Sequence, residues 1–289
     1  MQIKEGLVKT APILIVFTGI ACAWLFLPSW VNAQPNTGSL SYENYADTLQ
    51  TFVDDDGMVN YEGLKASPAS LDSFLRTLES VDPATVQQCT DKEKIALWVN
   101  AYNGFTLKAI IDHYPIQSRW GASLLYPKNS IRQIKGVWDK LQFVVMGQKT
   151  TLDSIEHNIL RKDFNEPRIH MALVCAAMSC PPLRNEPFLA ERLDGQFEDQ
   201  VHRFLANSTK FRIDREENRV YLSAIFKWFG EDFVKTYGTG ENFSGQGNTE
   251  RAVLHFIADR VNEQDREYLE TGEYSVKYLD YDWSLNEQQ

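Results

Sequence analysis

Apolar side chains step by threes and fours through "DKEKIALWVNAYNGFTLKAIIDH", where Ile95, Trp98, Val99, Tyr102, Phe105, Thr106, Ala109 and Ile110 share a broad face. That period predicts a helix from Asp91 to about His113, N-capped by Thr90 and stopped before Pro115. Asn100 and Asn103 sit three apart beside the apolar face. A half-buried amide pair needs partners, so they are candidates for binding a neighbouring loop or polar side chain. Shorter helices are predicted at "YENYADTLQTFV", "TTLDSIEHNILRKDF", "LAERLDGQFEDQVHRFLANS" and "TERAVLHFIADRVN".

Extended chain is expected from Ile131 to Leu152, with a hairpin turn at Gly147-Gln148, and around a second hairpin at Arg215–Asn218. "YSVKYLDYDWSLN" reads as a last strand-like stretch, in which Asp280, Asp282 and Trp283 either fasten the C-terminus to the core or contact a ligand. Ile169 to Met178 is apolar except for His170, which suits a strand buried on both faces before Pro181-Pro182 stops it. In that geometry His170, Ala172 and Val174 face one way, and Met171, Leu173 and Cys175 the other. No internal repeat and no long linker interrupts residues 42–286. The fold class expected is α+β: a single domain with helices packed on a modest, mostly antiparallel sheet.

The N-terminus changes this picture by adding a targeting segment. Lys4 and Lys9 precede an apolar run from Ala11 to Pro28, and Val31-Asn32-Ala33 fits a small-x-small cleavage site. Residues 1–33 therefore read as an export signal, with an uncleaved membrane anchor as the alternative, and residues 34–41 as a polar linker. Cys22 lies inside the apolar run rather than at its end, which argues against lipid modification. Either reading puts the domain outside the cytoplasm, in the periplasm or the extracellular space.

The chain carries 29 Lys and Arg against 39 Asp and Glu, a formal charge of −10 that becomes −11 once Lys4, Glu5 and Lys9 are removed. An acidic chain argues against nucleic acid or an anionic membrane surface as partner. Small-molecule, peptide or cell-envelope substrates remain, with membrane contact only through the N-terminal anchor. Asp54-Asp55-Asp56-Gly57 lacks the spacing and the closing Glu of a calcium loop and reads as a solvated turn. The Gly-rich segment after Tyr237 lacks the Lys-Ser/Thr ending of a phosphate loop. No cofactor is expected.

Several segments together, "WVNAYNGFTLKAI", "TLDSIEHNILR", "HMALVCAAMSCPPLR", "LSAIFKWFGEDF" and "YLDYDWSLN", resemble the family catalogued as domain of unknown function 547. The resemblance spans most of residues 42–286. It implies many exported bacterial relatives and longer intracellular plant ones, and it supplies no substrate.

The candidate chemistry gathers around Cys180. A cysteine nucleophile needs an imidazole to take its proton and a third group to orient that imidazole. Cys180 stands at the break before Pro181, His157 and His170 are candidate bases, and Glu156, Asp153 or Asn103 are candidate orienters. Arg184 or backbone amides after the Pro-Pro turn are candidates for holding an oxyanion. On this reading the protein is a hydrolase or acyl-transferase, although both histidines precede the cysteine, unlike the usual papain order. Three alternatives stay open. His157, His170, Cys175 and Cys180 are zinc-type ligands at poor spacing. Cys175 and Cys180 are near enough in sequence to form a bridge, leaving Cys89 unpaired. Or the cysteines are buried as small hydrophobes in a binding or scaffolding module. His113, His202 and His255 read as surface or edge residues.

Overall fold

Buried on nearly every side, the twenty-three-residue helix Asp91–His113 is the centre of the first of two apolar clusters. The computed structural model describes residues 40–238, 242–243 and 245–289. The readings of residues 1–33 and of most of the 34–41 linker lie outside these. Helices α1 (Glu43–Phe52), α2 (Tyr61–Ala66), α3 (Ala69–Ser80) and α4 (Pro83–Gln88) precede this long helix, α5. Thr90 and Glu93 close a capping box at its start, each satisfying an amide of the other. Its buried face is wider than the spacing predicted: Asn100 and Asn103 are buried with the rest. At Gly104 a Cβ would lie 3.0 Å from the Phe74 ring, so the missing side chain lets α3 pack close.

The chain after α5 departs most from expectation. Only β1 (Phe143–Val145) and β2 (Gln148–Thr150) of the Ile131–Leu152 stretch are strands, and they form an antiparallel hairpin. Their turn is Met146-Gly147, both at positive φ, as a primed two-residue turn requires. Residues 131–133 instead make a 3₁₀ turn. The buried Gln133 side chain there bonds the backbone of Arg119, Tyr126 and Pro127, doing locally what a neighbouring strand would have done. The predicted helix after β2 is present, but Ser154–Leu160 is wound as a π-helix before the single turn α6 (Arg161–Asp163).

Ile169–Met178 is not a strand. Pro167–Met171 is a 3₁₀ turn, and the chain then runs irregularly through the core. Asn103 donates to Ala172 O and accepts from Val174 N, each at 2.9 Å. Asn100 clasps Phe188 in the same way, at 2.8 and 2.9 Å. Gln200 donates to Met171 O and Pro182 O, and Gln196 to Pro187 O. A buried backbone must find partners, and here side-chain amides replace the sheet.

The second cluster is built by α7 (Leu193–Leu205), β3 (Phe211–Asp214), β4 (Arg219–Leu222), α8 (Ala224–Trp228), α9 (Gly230–Tyr237), α10 (Asn248–Ala258), α11 (Glu263–Thr271) and β5 (Ser275–Tyr278). β3 and β4 are antiparallel and β4 and β5 parallel, so the α+β class holds, with two small sheets in place of one. The C-terminal tail crosses back to the first cluster. Met178 N bonds Ser284 O, Val59 N bonds Asn286 O, and the Asn286 side chain reaches Tyr61 and Gly57. Segment 167–180 and this tail lie where the two clusters meet: Ile169 and Ala172 belong to the first, Met171 to the second, and Tyr281 packs on both.

The acidic turn is a turn. Asp54 Oδ1 accepts from the amides of Asp56 and Met58. Gly57, at φ 81°, stands where a Cβ would meet Leu183 N at 2.6 Å.

Candidate active site

At that meeting place lies a cavity of about 190 Å³ lined by Glu156, His157, His170 and both sulfurs, with Trp138, Trp228, Tyr281 and Trp283 among its walls. The 3₁₀ turn delivers His170 to it, buried, with the Phe229 ring stacked 4.1 Å away. His170 Nε2 lies 2.9 Å from Asp232 Oδ2, and its Nδ1 lies 4.0 Å from Glu156 Oε1. Asp232, on α9, also accepts from Arg161 Nε at 2.5 Å and Lys235 Nζ at 2.9 Å. Burial alone would raise its carboxyl, but these three donors outweigh that and hold it well below the usual carboxylate range. Burial pushes the His170 imidazole down more than Asp232 lifts it. The pair is therefore a neutral imidazole with an ionised carboxylate, and Nε2 carries the proton.

Glu156 comes from the π-helix, a winding that recurs at functional sites. Burial raises its carboxyl to about 7 against the opposing pull of Arg161 and the Tyr102 hydroxyl, with Asp153 and Asp232 adding to the rise. The Tyr102 hydroxyl donates to its Oε2 at 3.4 Å. His157 is half-buried at the rim. Arg161 donates to its Nδ1 at 2.7 Å and its Nε2 faces Asp153 at 3.3 Å, which fits a neutral ring, and burial lowers its pKa.

Cys175 and Cys180 are joined in a disulfide, leaving Cys89 as the free cysteine among the described residues. The exposure of the two sulfur residues reverses the expectation from sequence: Cys180 is 2% exposed, whereas Cys175 is only partly buried. Pro181 does break the chain, but the break turns inward, because residues 177–179 pair with the tail at 282–285. The Tyr281 hydroxyl lies 3.2 Å from Cys175 Sγ and 3.1 Å from Cys180 Sγ. The Cys175 amide donates to Cys180 Sγ at 3.0 Å. Neither imidazole is hydrogen-bonded to a sulfur in this bridged form.

Three sequence candidates lie elsewhere. Asn103 and Asn100 are spent on the backbone clasps and orient no imidazole. Arg184 is held by Glu186 and Asp199, away from the cavity, and cannot serve an oxyanion there. His113 and His202 are exposed and His255 half-buried, each on its helix as read. Among the described residues no three His, Cys, Asp or Glu side chains converge as a metal site, so the zinc alternative has no cluster to rest on. Sequence reasoning missed Asp232, Arg161, Arg132, Tyr102, Trp228 and Tyr281. One signal was available: Tyr281 and Trp283 alternate in "DYDW", which puts both on one side of an extended chain.

A family model described as "Protein of unknown function, DUF547" matches residues 86–205, which include Glu156, His157, His170 and both bridged cysteines. Asp232, Trp228, Tyr281 and Trp283 fall beyond that match. No curated protein and no solved structure matches the chain. Among the described residues no helix is long and apolar enough to cross a membrane.

Proposed function

We propose that the cavity is the active site of a thiol-dependent hydrolase or acyl-transferase whose resting form is the Cys175–Cys180 bridge. One observation carries this reading: two sulfurs share an aromatic-walled cavity with Glu156, a buried carboxyl held at about 7. A group with that pKa populates both protonation states at neutral pH, as general acid–base work requires. With Nε2 donating to Asp232, His170 Nδ1 presents a lone pair 4.0 Å from Glu156 Oε1.

The chemistry then runs in three steps. An external dithiol supplies two electrons and two protons, becomes a disulfide, and leaves Cys175 and Cys180 as thiols. Cys175, the more exposed, gives its proton to Glu156 while its sulfur forms a bond to the acyl carbon. Glu156 returns that proton to the leaving group as the acyl bond breaks, and water or another acceptor then cleaves the thioester. Residues 1–33, read as an export signal, put small molecules, peptides and cell-envelope material within reach.

Hydrolysis of p-nitrophenyl acetate and of a simple thioester, with and without dithiothreitol, tests the reading. Activity should appear only after reduction, and should be lost in Cys175→Ser and Glu156→Gln. If the oxidised protein and the Cys175→Ser variant hydrolyse as fast as the reduced wild type, the thiol has no part. A second reading then applies, favoured by the fact that Glu156 owes its raised pKa to burial rather than to the sulfurs: acid–base catalysis by Glu156 beside a structural bridge. If Glu156→Gln is also fully active, the cavity is not a catalytic site of either kind.

A further inference from the structure

Arg132 lines the same cavity and is held differently from four other arginines with buried or half-buried side chains. Arg161, Arg168, Arg184 and Arg260 each hold at least one carboxylate. Arg132 holds none among the described residues. Its guanidinium lies instead against three rings, 4.4 Å from the Tyr126 centroid, 5.0 Å from Trp283 and 5.3 Å from Trp138. Among the described residues its side chain makes one hydrogen bond, to the Tyr126 hydroxyl, at 2.6 Å. A guanidinium has five N–H donors in a fixed fork, so four remain for something the cavity admits. The aromatic faces hold the group in place by cation–π attraction without neutralising it.

We propose that Arg132 is the anion-recognition residue of this cavity and that its ligand is a small organic carboxylate. The fork matches a planar carboxylate in two-point fashion. A single cation with Glu156 and Asp153 in the same lining suits a monoanion better than a phosphate dianion, which those carboxyls would repel. The volume, about 190 Å³, admits a small acid or the end of a chain rather than a long ligand. Trp228, 48% exposed, offers a ring face for the apolar remainder. That the ligand is the substrate rests on the acyl-transfer reading above; that it binds at Arg132 does not.

The test is a binding titration of the full protein in its oxidised form, where no thiol chemistry can occur, followed through the indole N–H signals of the tryptophans. N-acetylglycine is compared with N-acetylglycinamide, an acetylated tripeptide acid with its amide, and phenyl phosphate with both acids. The wild type should bind each acid at least tenfold more tightly than its amide and more tightly than phenyl phosphate. Arg132→Gln should abolish the acid preference. Arg132→Lys, which keeps the charge and most of the packing, should keep part of it. Tighter binding of the peptide acid assigns a peptide carboxyl terminus, and equal binding assigns small free acids; both support carboxylate recognition. Equal binding of acid and amide to the wild type, a preference that survives Arg132→Gln, or tighter binding of phenyl phosphate overturns the proposal. None of these results alters the outcome of the reduction-dependent assay, so the two ideas fail separately.

Discussion

His170 Nε2 and Asp232 Oδ2 lie 2.9 Å apart, sixty-two residues distant in sequence and both buried, with Arg161 completing the same carboxylate's shell. The carboxyl of Asp232 titrates below its unfolded value, so its contribution to stability is present above about pH 4 and is lost as pH falls further. Asp232→Asn strips Arg161 of its counter-charge and should cost about 3 kcal/mol at pH 7. The deficit relative to wild type should shrink below pH 4, which urea unfolding across pH measures.

Glu156 behaves in the opposite sense. Its folded carboxyl titrates at about 7, above the unfolded value, so the native state keeps a proton that the unfolded chain has released. Stability from this group falls as pH rises from about 4 to 7, by on the order of 3 kcal/mol. Glu156→Gln should therefore match wild type near pH 4 and exceed it at pH 8. A variant less stable than wild type at pH 8 would mean that the ionised carboxylate is well paired.

Asn103 is predicted to matter for folding rather than for proton transfer. Asn103→Ala leaves Ala172 O and Val174 N buried without partners, a loss of about 3 kcal/mol. Asn103→Asp restores the acceptor for Val174 N but not the donor for Ala172 O, and should fall between the two. Denaturant midpoints rank the three proteins, and the pH profile of any hydrolytic activity should stay in place.

Lys210 is 5% exposed, and the acceptor it reaches is the carbonyl oxygen of Cys180. Burial, reinforced by the charge of Arg203, lowers its amine to about 8. Between that value and the ordinary 10.4 the unfolded chain binds more protons, so stability rises with pH across the window. Lys210→Met should be more stable than wild type at pH 7 by on the order of 1–2 kcal/mol, after the lost hydrogen bond is subtracted. The advantage should vanish by pH 11; a variant weaker at both pH values would show that the carbonyl contact dominates.

Local pattern alone determined a good deal of this protein. The 3.6-residue period marked α5, and Thr90 and Glu93 marked its start, because a helix is written in neighbours one turn apart. The α+β class, the turn at Asp54–Gly57, and the gathering of Glu156, His157, His170 and Cys180 were legible for the same reason: each rests on residues close in sequence, whereas Asn103, read into the same group, lies apart from the cavity. Tertiary structure decided what local pattern could not. An apolar run such as Ile169–Met178 looks like a buried strand, yet whether it pairs depends on what else can satisfy its backbone. Here the amides of Asn103 and Gln200, from two distant helices, do so. Asp232 and Tyr281 reached the cavity through packing between two apolar clusters, with no spacing to announce them. The roles of Cys175 and Cys180 turned on a tail more than a hundred residues away, because exposure of a side chain belongs to the folded surface and not to the chain.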